Sequence, residues 1–236
     1  MTELGMTTKL ITESGWKYAL LAILIFILLG MDVLSVFFGM LVDGRPMSEF
    51  GISNKHWYAT VSTFLCSICL WTIAASLIVR WTKRCGVLDV FLSRTTGRKV
   101  LLVGFVGVII LILISWLESH TMSLSLVSEY HGFAQRNPGY GVLLTSFQYL
   151  YYFLESIMVV LMLAAWQRAG EIWTGQTKIP WGGLGLTLTW GLAHYASHPQ
   201  GALTVVLSAF VFGCVFVGVQ KNAIVTLLVV YSVFVL

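Results

Sequence analysis

Uninterrupted apolar runs close to the length needed to cross a bilayer constrain this chain more than any other feature. A hydrocarbon core about 30 Å thick takes roughly 20 residues of helix. Without water in that core, every backbone amide has to be satisfied within the protein, which leaves the helix as the form for such runs. The runs Trp16 to Leu41, Trp57 to Val79, Val100 to Leu117, Gly141 to Trp166, Trp181 to about Ser197 and Gly201 to Val219 meet the requirement. Ala223 to Leu236, only 14 residues long, adds a seventh that is tilted or half inserted. The expected fold class is therefore all-α, a polytopic membrane protein of six to seven transmembrane helices, with residues 1–236 as one integral membrane domain. Since 58% of the residues are hydrophobic and 10% charged, no separate water-soluble domain remains to be placed.

The few charges are clustered, which turns them into an orientation signal. Arg80, Lys83, Arg84, Arg94, Arg98 and Lys99 stand between the second and third runs against Asp89 alone. By the positive-inside rule this connection is cytoplasmic, and the N-terminus with Lys9 and Lys17 lies on the same side. The formal net charge of +4 is thus no nucleic-acid footprint, and no nucleic-acid partner is expected. Glu3 and Glu13 precede the first run, which lacks a small-residue cleavage site, so a retained first span is expected rather than a removed signal peptide.

Ionisable groups at membrane depth are costly unless paired or hydrated, so each is a functional hypothesis. Glu155 lies near the middle of the fourth run. Gln148, Tyr151 and Tyr152, at i−7, i−4 and i−3, share its side of the helix. His194 lies in the fifth run behind Thr187 and Trp190. Two readings stay open for the pair: an acid–base couple on consecutive helices, or polar glue between them. His198 follows His194 at i+4, the spacing of two imidazoles on one metal, and supplies a weaker metal alternative. Asp32, a third acid within the first run, has no partner evident from sequence.

Other candidates have bland readings. Glu118, His120, Glu129 and His131 fall in the outer connection Glu118 to Tyr140 without H-x-x-x-H or H-E-x-x-H spacing, and are expected in a solvated loop. Cys66 and Cys69 form a C-x-x-C inside an apolar run, where small apolar residues at a helix contact are expected over a redox pair. Gly182, Gly183, Gly185 and Gly191 leave the fifth run without side chains in places, the pattern of a central helix closely approached by neighbours.

From Tyr151 onward, roughly the last 85 residues, the chain resembles the CPBP family of intramembrane proteases, the CAAX-prenyl-protease and bacteriocin-processing type. That family carries E-E-x-x-x-R on one span, F-x-x-x-H on a following span and H-x-x-x-N or a variant on a late one. Trp190-x-x-x-His194 is similar to the second motif, with Glu155 39 residues before it. The resemblance divides the domain into N-terminal spans, 16–140, and a CPBP-like core, 141–236. It implies hydrolysis of a peptide bond in a peptide or membrane-protein tail, with Glu155 as general base and His194 orienting the water or binding the oxyanion. It also implies the plasma membrane of a bacterium, and no cofactor. Leu154 and Val159 stand where the first motif has its second glutamate and its arginine, and only Tyr231 and Ser232 offer polar atoms near the third motif. A catalytically reduced relative that binds a peptide or partner is therefore a second expectation. A small proton-coupled transporter using Asp32, Glu155 and His194 is a third.

Overall fold

Amides that meet no water bond along their own segment, and the computed structural model is helical almost throughout the residues it describes, 14–49, 56–84, 97–119, 124–197 and 202–235. In chain order the helices are α1 (Gly15–Gly30), α2 (Asp32–Val42), α3 (Trp57–Arg84), α4 (Arg98–Ser119), α5 (Ser125–Arg136), α6 (Gly141–Thr174), α7 (Trp181–Leu186), α8 (Leu192–Ser197), α9 (Ala202–Gly218) and α10 (Ala223–Val235). A short 3-10 turn, Met47–Glu49, follows α2, and a π-helical segment, Thr187–Gly191, joins α7 to α8. Four stretches are long and apolar enough to cross a membrane: Gly15–Val42, Trp57–Arg84, Arg98–Leu117 and Gly141–Thr174. Leu203–Gly218 and Ala223–Val235 are apolar but shorter. The chain is an all-α polytopic membrane protein.

α6 is the axis of the bundle. Half of its apolar stretch is buried (50%), against 28%, 22% and 22% in the other three long helices, and α1, α3, α5, α7 and α10 all pack on it. Met158, Val159, Met162, Leu163 and Ala165 on α6 are fully enclosed, with Phe212 and Phe216 of α9 in the same core. Beyond the apolar run that ends at Trp166, α6 continues for two further turns and stops at Gly175, whose φ of 70° gives the left-handed helix cap that glycine adopts without strain.

Glycines set how closely the fifth run approaches its neighbours, as their spacing leads one to expect. A Cβ on Gly213 of α9 would lie 2.3 Å from the Cα and N of Gly183 on α7. One on Gly182 would lie 2.5 Å from the Leu163 carbonyl of α6. The α7 backbone is therefore wedged between α6 and α9.

Three features depart from the sequence reading. The first run is broken at Met31 into α1 and α2, which places Asp32 in the first turn of α2, at the favourable end of its dipole. The connection before α6, read as a solvated loop, contains α5. Its Leu126, Tyr130 and Phe133 repeat at helical spacing, Phe133 is buried, and the turn into α6 closes over Gly141, whose Cβ would meet Ala134 at 2.9 Å. The third feature is the π-helical segment inside the fifth run.

The far end of α6 carries a buried polar lock. Gln167 Nε2 donates to Glu171 Oε1 (2.8 Å) and to the Ile179 carbonyl (2.9 Å), while its Oε1 accepts from the Gly182 amide (2.9 Å). Lys221 Nζ reaches both Glu171 oxygens at 2.7 and 2.8 Å. Removing one member of such a pair strands a buried charge, so Lys221→Met is expected to destabilise the protein by about 2 kcal/mol. This is below the 3–5 kcal/mol typical of a fully buried pair, because Lys221 remains partly exposed. The double variant Glu171→Gln/Lys221→Met should recover most of that loss. Thermal unfolding of the purified protein in detergent measures both, and equal losses in the single and double variants would contradict the account.

Candidate functional site

The site is built where α6 faces the π-helical segment. A π turn holds an extra residue and recurs at functional positions in helices. Here it contains Trp190, a buried side chain whose Nε1 donates to Glu155 Oε1 at 3.2 Å. Glu155 is 5% exposed, so its carboxyl is held by protein. Half-buried His194 packs its ring against the Trp190 indole, centroids 4.5 Å apart. Its Nε2 stands 4.0 Å from Glu155 Oε1.

The other imidazole nitrogen determines what that Nε2 does. His194 Nδ1 lies 3.0 Å from the Trp190 carbonyl oxygen, which can only accept. The neutral ring therefore carries its proton on Nδ1, leaving Nε2 as an acceptor toward Glu155. The 4.0 Å separation exceeds a direct hydrogen bond but matches two ordinary bonds of about 2.8 Å meeting at one water oxygen. Chemically this is a carboxyl and an imidazole facing each other across the width of one water.

The residues expected to support Glu155 divide between two further polar groups. Tyr151 OH donates to Asp32 Oδ2 (3.2 Å), and Ser67 Oγ donates to Asp32 Oδ1. Asp32 thus has two partners, brought in from α3 and α6. Gln148 Nε2 donates to Tyr152 OH (2.5 Å), which donates to Glu129 Oε1 of α5 (2.9 Å). The shared helix side of Gln148, Tyr151, Tyr152 and Glu155 is real, but the first three bond elsewhere, and the side-chain hydrogen bond that reaches Glu155 comes from Trp190. Trp190 was legible as a neighbour of His194 on its helix and as a motif position, but its bond to Glu155 was not, because its aim depends on the π turn.

His198 lies outside the described residues, so the His194/His198 metal alternative stands outside them too. The same holds for His120 and for the side chain of Glu118. Among the described residues no three His, Cys, Asp or Glu side chains gather as a metal site. His131 is exposed. Cys66 and Cys69 are free, half-buried and exposed respectively.

Glu129 lies on α5, outside the spanning stretches, and burial holds its carboxyl above the ordinary value of 4.5 despite the opposing Tyr152 bond. A carboxyl raised in this way favours the docked state when protonated. Its contribution is complete below the ordinary value and is lost as pH rises through the raised one. Docking of α5 on α6 is therefore expected to be tighter at about pH 4.5 than at about pH 7. Amide hydrogen exchange across Ser125–Arg136, corrected for its intrinsic pH dependence, should show greater protection at the lower pH. Glu129→Gln should flatten the difference, and an unchanged pH dependence in that variant would contradict the assignment.

No family model, no curated protein and no solved structure matches the chain.

Proposed function

We propose that the chain is a divergent CPBP-like intramembrane peptidase acting on a peptide or a membrane-protein tail, in the plasma membrane of a bacterium with its N-terminus in the cytoplasm. The observation that carries this reading is the approach of His194 Nε2 to Glu155 Oε1 at 4.0 Å, with Trp190 donating to the same carboxyl oxygen. In this reading Glu155 takes a proton from a water held between the two side chains as its oxygen attacks the scissile carbonyl. His194 Nε2 accepts the second O–H of that water and so aims its oxygen at the carbonyl, and Glu155 returns the proton to the leaving amine. The chemistry needs no cofactor.

A second reading, a catalytically reduced relative that binds a peptide or a membrane-protein partner, has its own support. Val159, at the motif's arginine position, is fully buried in the apolar core. Tyr231 OH turns to the Tyr149 carbonyl (3.5 Å) and Ser232 Oγ to that of Val229 (2.7 Å), so neither replaces the third-motif histidine at Glu155. One experiment separates the two. The full chain is reconstituted in vesicles with membrane-inserted, fluorescence-quenched peptides, beside Glu155→Gln and His194→Ala. Cleavage lost in both variants supports the peptidase. Peptide retention without cleavage in all three proteins supports the reduced relative, and cleavage indifferent to both substitutions removes the peptidase reading.

A further inference from the structure

We infer that the cleft between α1 and α3 binds an anionic phospholipid, one acyl chain lying along the cleft with the phosphate between Lys17 and Arg84. Two hydrogen bonds set α3 antiparallel to the α1–α2 stretch: Ser67 to Asp32 in the first turn of α2, and Trp71 Nε1 to the Leu28 carbonyl of α1 (3.2 Å). α1 packs chiefly on α6 while α3 packs on α2 and α6, so below these bonds α1 and α3 stand apart. The cleft left between them has a volume of about 720 Å³, within the range of small-molecule sites.

Its walls match a lipid chain in length and chemistry. Leu20, Leu24 and Leu28 face Leu70, Ile73 and Leu77. From Lys17 to Met31 the wall on α1 runs about 20 Å at 1.5 Å per residue, a little more than the roughly 15 Å depth of one leaflet's hydrocarbon. The flanking side chains Leu24, Ile73 and Leu77 are 49%, 59% and 61% exposed, which opens the cleft sideways to the bilayer.

Charge selects the headgroup. The antiparallel register brings Lys17 to the level of Trp81, an exposed tryptophan of the kind that anchors at the membrane interface. Arg84 lies one turn beyond Trp81 on the same face of α3, and Arg80 and Lys83 are exposed beside it. Neither α1 nor α3 contains an acidic residue. Both walls thus end in cations near the exposed Trp81, with no carboxylate on either helix to balance them. A guanidinium and an ammonium suit one phosphate as fork and point charge. A zwitterionic headgroup would bring its own cation into that cluster.

The test places a photo-crosslinking residue at Ile73 in the full chain, reconstituted in vesicles of equal phosphatidylglycerol and phosphatidylcholine with matched acyl chains. Adduct masses are then read by mass spectrometry. Two cations near an anionic headgroup are expected to enrich the phosphatidylglycerol adduct by about fivefold or more over the mixing ratio. Lys17→Gln/Arg84→Gln should return it to that ratio, while the charge-conserving Lys17→Arg/Arg84→Lys should keep the enrichment. Adducts in the mixing ratio in the unaltered protein would overturn the inference, as would crosslinks to the chain's own residues 1–13 or to a second copy.

Discussion

Gly213→Val is expected to destabilise the protein by about 3 kcal/mol or more, the largest loss for a single substitution away from the charged groups. Overpacking a core usually costs about 1–3 kcal/mol, because side chains share out the displacement. Here the added Cβ would stand 2.3 Å from the backbone of Gly183, and a main chain inside a helix cannot rotate aside. α7 and α9 would have to separate, opening the core around Phe212 and loosening the segment that carries Trp190 and His194. Gly30→Ala is the control. Nothing lies within 4 Å of a Cβ there, and alanine in a helix is worth up to about 1 kcal/mol over glycine. Denaturation of the two variants in mixed detergent should separate widely, and a Gly213→Val protein as stable as the parent would show that the helix crossing is not held at that distance.

If the chain is the proposed peptidase, Glu155→Gln is expected to lower peptide cleavage by roughly 100- to 10,000-fold, the range over which a positioned general base acts. The amide keeps the shape of the carboxyl, and its oxygen still accepts the Trp190 N–H that now reaches Glu155 Oε1 at 3.2 Å. The loss should therefore fall on turnover with little change in unfolding temperature. On the same reading His194→Ala should reduce turnover by about 100-fold, the scale on which lost positioning at the reacting group acts. The two substitutions together should cost less than the product of their separate effects, because a base and the group orienting its water act as one unit. Equal turnover in Glu155→Gln and the parent, with both proteins folded, would rule the base out.

The apolar runs made the long helices legible because their length alone satisfies the bilayer. Gly182 and Gly183 were legible as close-approach positions, since small residues inside a membrane have few other uses. Glu155 and His194 were found by their depth. The partners of Asp32 were not, because Ser67 and Tyr151 lie 35 and 119 residues away and nothing local ties them to it. α5 was missed because a 12-residue helix between two spans reads as a loop when only its polar residues are weighed. The continuation of α6 past Trp166 was hidden for the opposite reason. Gln167 and Glu171 look like the edge of the membrane until the Ile179 carbonyl, the Gly182 amide and Lys221 are seen to enclose them.

The π-helical segment lets one stretch of chain serve two masters. Ahead of it, Gly182 and Gly183 present bare backbone to α6 and α9; after it, His194 is turned toward Glu155. At a constant pitch of about 100° per residue, the phase that suits the first task fixes the phase of the second. One surplus residue in the ladder cuts that tie, so tight crossing and imidazole aim are set independently within 17 residues.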